Sequence, residues 1–387
     1  MIKIIKTALN FWFISICLLN NISHAEQKNE DNESISQQAF HAFSEAMQLI
    51  KQNYHYDVTD KQLIQAAIKG MVESLDDYSK YFSKEDFEKY NSNNAGEFVG
   101  IGIALQDHEF GAEIMNVLDG SPAAEVGLKS GMIITKIDNK DITYVSADEV
   151  INLLKGELGS SLELTVASSQ FAMPKTFKII RREILVASTH YKKIDENVGY
   201  LSINQFTDRT PEEFRSHISS NQPEMLIIDL RNNYGGVMES ALNIADMFIN
   251  KGKLLVSKGK NATFSEVYVA SPQAEFADIK LVIMINEYTA SSSEILAAAL
   301  KDHKKAHILG KKSYGKGSIQ AIFPLQSGEG IKITSAQYFT PSGKNIESVG
   351  IKPDTEFSTG VLVKPKGSPE IEDQHILQAY QLLVKHL

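Results

Sequence analysis

The stretch Leu281-Val282-Ile283-Met284-Ile285-Asn286-Glu287-Tyr288-Thr289-Ala290-Ser291-Ser292-Ser293-Glu294-Ile295-Leu296-Ala297-Ala298-Ala299-Leu300 decides the reading of the fold. Its opening residues form an unbroken apolar run rich in β-branched side chains, the pattern of a strand covered on both faces. From Ser292 to Asp302 the composition turns to Ala and Leu, which favour helix. A short polar turn joins the two. The texture recurs upstream: Val198–Ile203 reads as a strand, Thr210–Ser220 as a helix, Met225–Leu230 as a second apolar strand, Ser240–Phe248 as a helix, and Ile279–Ile285 as a third strand. Residues 185–387 are therefore expected to form a layered α/β core with crossover helices.

Working outward, residues 96–184 change to short β-type runs separated by turns. Val99–Leu105, Glu113–Val117, Met132–Ile137, Leu162–Ala167 and Thr176–Arg181 read as strands, and Ser146–Leu154 as a helix with Ser146 as cap and Glu149 three residues on. This is a separate small module inserted ahead of the core. Before it, residues 26–95 read as helical: Phe40, Phe43, Met47 and Ile50, then Leu63, Ala67, Met71 and Leu75, recur at spacings of three and four. A third short helix is expected near Lys84–Tyr90, with Ser83 as its cap.

Residues 1–25 join Lys3 and Lys6 to the apolar run Ala8–Leu19 and the small-residue site Ser23-His24-Ala25, the layout of a secretory signal peptide cut after Ala25. An uncleaved anchor is the alternative, but Asn10 interrupts the run and it is short for a membrane span. The lone cysteine, Cys17, lies inside the signal and follows Ile16, where a lipoprotein signal wants a small residue. The mature chain thus lacks a disulfide, a thiol nucleophile and a thiolate metal site. Loss of the two signal lysines moves the formal charge from −9 to −11, which argues against nucleic acid as a partner. The composition, 43% hydrophobic and 22% charged over 387 residues, excludes disordered, collagenous and coiled-coil chains.

Three segments hold candidate chemistry. Ser291 sits where the strand turns into the helix, beside the free backbone N–H groups of the first helical turn, a place suited to a nucleophile and an oxyanion hole. Ser291-x-x-Glu294 is equally a capping box with no catalytic purpose. Lys316 stands between Gly315 and Gly317, where close backbone approach can enclose its amine; burial would lower its pKa and let it take a proton from serine. An exposed turn lysine is the alternative. Gln320, four residues on, falls on the same face of the strand that follows. The third segment, Ile227-Ile228-Asp229-Leu230-Arg231-Asn232-Asn233-Tyr234-Gly235-Gly236, ends a buried strand in a glycine pair whose N–H groups can face an oxyanion, or serve as a plain turn. His303 and His307 are four apart, but Lys304 stands where a zincin carries glutamate, so no metal site is expected. A Ser-His-Asp triad using His303 or His190 has no motif of its own.

Together these segments resemble the C-terminal processing peptidases, or tail-specific proteases. The resemblance covers Gly70-Met71-Val72-Glu73-Ser74-Leu75-Asp76 with Tyr78-Ser79-Lys80-Tyr81, Phe98-Val99-Gly100-Ile101-Gly102 with Ser121-Pro122-Ala123, Asp229 to Asn233, Ser291 to Ile295, Gly315-Lys316-Gly317, Tyr338 to Gly343, and Gly350 to Asp354. It implies an α/β multidomain serine endopeptidase with an N-terminal helical region, an inserted PDZ domain and a protease core; the alternatives are a catalytically silent PDZ-containing scaffold, against which the intact Ser291, Lys316 and Gln320 set speaks, and a Ser-His-Asp hydrolase on the same core. By position it implies Ser291 as nucleophile, Lys316 as general base, Gln320 as the residue that orients the lysine, and an oxyanion hole from Gly235 or Gly236 with Ser292. In the PDZ module, the loop Gly100, Ile101, Gly102 and Ile103 would receive a peptide's terminal carboxylate, while the chain adds as a strand beside Ile101–Leu105.

The expected partners are polypeptides with free apolar C-termini, with an adaptor or a second copy left open; no cofactor is expected. The expected location is periplasmic or secreted, with attachment to the inner-membrane periphery left open. Three positions depart from the resemblance: Tyr234 where proline is usual, Met132 where aspartate is usual, and Ser292 where alanine is common.

Overall fold

A computed structural model describes residues 37–168, 173–360 and 369–386; the signal-peptide reading of residues 1–25 lies outside them. The chain divides into two compact units, with the boundary between Tyr81 and Phe82.

Within the first unit, residues 37–53 are helical, and a second helix spans Asp60–Glu73. Thr59 starts the latter as half of a capping box with Gln62, whose side chain accepts the Thr59 N–H at 2.8 Å. Phe40, Met71 and Leu75, which carry the apolar periodicity, are exposed. Among the described residues no helix is long and apolar enough to cross a membrane.

The second unit opens with the helix Lys84–Ala95, longer than expected, with Ser83 accepting the Asp86 N–H as its cap. It stops at Gly96, which takes the left-handed conformation that suits a helix end. A two-stranded ladder follows, Glu97–Gly100 antiparallel to Arg182–Leu185, so the chain enters and leaves the inserted module on adjacent strands. The module is an antiparallel sheet of Ile103–His108, Gly111–Val117, Ile133–Ile137, Ser161–Ala167 and Lys175–Ile180 in that order, with helices Pro122–Glu125 and Ala147–Leu154. Ile114, Ile134, Val150, Leu164 and Val166 are fully buried between them.

One strand expected over Val99–Leu105 is two. Gly102 breaks it with φ +81°, and a Cβ there would lie 2.3 Å from the Ser121 Cβ. The break is held by burial of Ile101 in the module core and by two hydrogen bonds: Ala123 N–H donates to the Ile101 carbonyl at 3.0 Å and Leu118 N–H to the Gly102 carbonyl at 2.9 Å.

The core sheet runs Thr189–Lys193, Val198–Ile203, Met225–Asp229, Lys280–Ile285, Ala306–Gly310, Thr355–Glu356. The first pair is antiparallel and every later pair parallel. Its central strands are buried on both faces, as their apolar runs require. Leu226, Ile228, Leu281 and Ile283 pack with helices Thr210–Asn221, Met238–Asp246 and Ser292–Asp302. Ile227, Val282 and Met284 face the other way, onto Ala379 and Leu383 of the C-terminal helix Gln374–His386. That helix covers its own core. A second sheet, Ser318–Pro324, Gly330–Phe339, Lys253–Gly259 and Val267–Val269, stands beside the first. Its long strand alternates as Ile331-Lys332-Ile333-Thr334 and again as Ala336-Gln337-Tyr338, with Ser335 shifting the phase between the two halves.

Candidate active site

The strand Lys280–Ile285 and the helix Ser292–Asp302 meet at Ser291, which has φ +57° and ψ −119°. A non-glycine residue in that region is strained, and such strain persists only where surrounding contacts enforce it. The contacts come from the loop after the strand Met225–Asp229. Ala290 N–H donates to the Asn233 carbonyl at 3.0 Å. Three hydroxyls of the turn and helix start also donate to carbonyls of that loop: Thr289 to Leu230 at 2.8 Å, Ser293 to Asn233 at 3.1 Å and Ser292 to Gly236 at 2.9 Å. Asn233 is itself completely buried, its amide donating to the Ile203 carbonyl at 2.7 Å.

The capping reading of Ser291-x-x-Glu294 holds in part, because Glu294 Oε2 accepts the Ser291 N–H at 2.9 Å. The same carboxylate also binds the lysine loop. Oε2 accepts the Lys316 N–H at 2.9 Å, while Oε1 accepts the Gly315 N–H at 2.8 Å and the Ser313 hydroxyl at 2.5 Å. Burial pushes the Glu294 carboxyl up, and these donated bonds oppose it. Four donors converging on two oxygens match an ionised, acceptor-only carboxylate. Tyr338 supplies a second tie: its buried hydroxyl donates to the Lys316 carbonyl and lies 3.3 Å from the Ser291 carbonyl. Burial, and then the nearby Glu294 and Glu347, push this phenol well above its ordinary pKa, so it remains a donor.

Ser291, Lys316, Gln320, Gly236 and Ser292 line one cavity of about 540 Å³. Gln320 donates from its amide nitrogen to the hydroxyls of Ser318 at 3.0 Å and Thr334 at 3.3 Å. Its carbonyl oxygen is the end of the amide that can take a hydrogen bond from an ammonium.

One expectation needs correction at the glycine pair. The Gly235 N–H donates to Asn233 Oδ1 at 2.8 Å, so it is engaged within the loop and is removed from the expected oxyanion donors. Gly235 instead provides close approach: a Cβ there would lie 2.8 Å from the Ser291 Cβ. Gly236 bridges in parallel to Phe206, with Phe206 N–H donating to the Gly235 carbonyl at 3.0 Å and Val237 N–H to the Phe206 carbonyl at 2.8 Å. That pattern turns the N–H and C=O of Gly236 itself away from Phe206, and the carbonyl end meets the Ser292 hydroxyl.

Comparison with known proteins completes the picture. Residues 197–357 match the Peptidase family S41 profile, residues 4–86 that of the activating protease CtpB N-terminal domain, and residues 113–168 a PDZ domain. A carboxy-terminal-processing protease of Bartonella bacilliformis is 32% identical over 351 residues, covering 89% of this chain and 80% of its own. The chain belongs to peptidase family S41. A probable CtpA-like serine protease of Staphylococcus haemolyticus is 34% identical over 319 residues, and the match spans 81% of the S41 chain but 64% of that relative's length. The photosystem II D1 C-terminal processing protease structure aligns with 82% of this chain and 87% of its own at 25% identity and a TM-score of 0.49.

The histidines weighed for a triad or a metal in this S41 chain, His190, His303 and His307, do not line the Ser291 cavity. His303 caps the far end of the helix that Ser291 begins, with Nε2 2.7 Å from the Lys253 carbonyl. Eleven helical residues span roughly 16 Å, too far for a triad contact. His190 is exposed on the first strand of the core sheet, and His307 Nε2 meets the Thr355 hydroxyl at 2.9 Å.

In the PDZ module, Gly100, Ile101, Gly102 and Ile103 line a small pocket with Ile151 and Leu154. Sequence reasoning passed over Glu294 as more than a cap, and missed Asn233 and Tyr338 as structural ties. Tyr338 and Asn233 lie inside motifs that carried the resemblance, but only the hydrogen bonds reveal what they hold.

Proposed function

We propose that this chain is a serine endopeptidase acting through a Ser291/Lys316 dyad on polypeptides recognised by their C-termini. The observation that carries the reading is the single Glu294 oxygen shared by the Ser291 and Lys316 backbones in one cleft. In the proposed reaction the neutral Lys316 amine takes the hydroxyl proton as Ser291 Oγ attacks the peptide carbonyl. The Gly236 and Ser292 N–H groups stabilise the oxyanion. The Lys316 ammonium then protonates the leaving amine as the C–N bond breaks, and water hydrolyses the acyl-enzyme by the same steps with the amine again as base. Gln320 orients the lysine. The mechanism calls for neither a metal nor a cofactor.

The PDZ module supplies selection: the Gly100–Gly102 loop takes the substrate's terminal carboxylate and the pocket beside Ile151 and Leu154 an apolar last side chain. The domain limits, 26–95, 96–184 and 185–387, and a periplasmic or secreted location after removal of residues 1–25 are part of this reading. A degradation assay on an unstructured protein with an apolar C-terminus tests it. Ser291→Ala and Lys316→Ala should each abolish cleavage and Gln320→Ala should weaken it less, because the dyad acts as a unit. Substantial cleavage by Lys316→Ala sinks the dyad.

A further inference from the structure

We propose that the Ser292 hydroxyl is a positioning group for the oxyanion hole, so that one residue supplies one donor through its backbone and fixes the other through its side chain. The inference rests on the proposed dyad and deepens it.

Gly235 and Gly236 have φ of +102° and +140° and no side chains to anchor them, so hydrogen bonds largely set their peptide planes. The plane carrying the Gly236 N–H is held from one side, where its carbonyl, that of Gly235, accepts from Phe206 N–H at 3.0 Å. The next plane carries the Gly236 carbonyl and the Val237 N–H and is held at both edges: Val237 N–H donates to the Phe206 carbonyl at 2.8 Å, and Ser292 Oγ donates to the Gly236 carbonyl at 2.9 Å. With both planes fixed, Gly236 cannot rotate about its own Cα bonds, and its N–H stays turned away from Phe206, on the side of the cleft it lines with Ser291. The other two hydroxyl ties, from Thr289 and Ser293, end at Leu230 and Asn233, at the base of the loop. Ser292 is the tie that reaches the donor residue. It is 1% exposed, and a hydroxyl so buried keeps its partner because no water competes for the bond. A side chain without a hydroxyl would leave the fold in place, the Gly236 carbonyl without its buried donor, and the second plane held at its Val237 edge alone.

The test compares wild type with Ser292→Ala in kcat and KM on a peptide substrate, and in affinity for a peptide aldehyde, which forms an oxyanion on Ser291, against the matching peptide alcohol, which forms none. Expected is a fall of roughly tenfold in kcat together with a similar loss of aldehyde affinity, KM and alcohol affinity staying within twofold, because loosening a donor costs less than the 100-fold or more of deleting one. Unchanged kcat and aldehyde affinity overturn the proposal, as does an equal loss for aldehyde and alcohol, which indicates a generally disturbed cleft. Ser291→Ala, measured alongside, separates the two readings: if it still cleaves, the dyad itself is wrong and the Ser292 assignment goes with it.

Discussion

Ser291 and Lys316 hang their backbone N–H groups on one oxygen, Glu294 Oε2, at 2.9 Å each. Their separation is thus set by main chain anchored to a buried carboxylate. Tyr338 repeats the arrangement on the carbonyl side.

Glu294→Gln should lose activity by roughly 100-fold or more, since a 1 Å misplacement in a catalytic pair is enough for that. The amide would present N–H to at least one of the donors now received by the carboxylate, and each buried donor left unsatisfied costs about 1–3 kcal/mol. A melting curve and a degradation assay suffice. Retention of more than half the activity would show that the shared oxygen is incidental.

Tyr338→Phe keeps the ring that fills the core but leaves the Lys316 carbonyl without its donor. A destabilisation of about 1–3 kcal/mol is expected, with kcat reduced about tenfold and KM little changed. Denaturant unfolding together with steady-state kinetics checks both. If KM rises while kcat holds, the hydroxyl shapes the cleft rather than the dyad.

Gly235→Ala should be inactive, since its Cβ would sit 2.8 Å from the Ser291 Cβ at a backbone φ of +102°. Gly343→Ala is the control: φ is +85° but nothing lies within 4 Å of the added carbon, so only the left-handed penalty of about 1–2 kcal/mol applies. Equal activities in the two variants would contradict the close approach of loop and nucleophile.

Acid should loosen the C-terminal helix. Asp373 accepts from Arg231 at 2.9 Å; burial raises the carboxyl, but the Arg231 bond and charge outweigh it and hold it below its ordinary 3.8. A depressed acid stabilises the fold above its ordinary pKa, and that contribution disappears as pH falls through the depressed value. Asp373→Asn should therefore melt lower than wild type at pH 7, and the gap should narrow progressively as pH falls below 3.8. A gap that is constant with pH would mean that the charge contributes nothing.

Amidating a substrate's C-terminus, or ending it in Asp, should slow cleavage if the Gly100–Gly102 loop reads a free carboxylate beside an apolar pocket. Equal rates for free, amidated and acidic tails would remove that role.

Much of this was legible in the sequence. The runs Leu226–Ile228 and Leu281–Ile285 forecast a doubly covered sheet because every residue in them must be apolar when both faces are buried, and they are buried. Caps were equally plain, as at Ser83 and Ser146, since a cap is a local event. What stayed hidden is long-range. Glu294 looks like a cap because three residues suffice to define one; its bonds to Gly315 and Lys316 span more than twenty. The Gly235 N–H looked free for an oxyanion, and only the buried orientation of Asn233 explains why it is engaged.

The ladder from Glu97 to Gly100 against Leu185 to Arg182 gives the inserted module a stalk. Directly opposed residues on such a ladder stand about 5 Å apart, close enough for a tight hairpin to join them. The module is therefore a cassette: cutting it at the ladder and closing the gap, or seating a different recognition domain there, leaves the ends of the catalytic core where they already are. The covalent link between module and core is thus two short strands, and an exchange made there touches no residue of the Ser291 cleft.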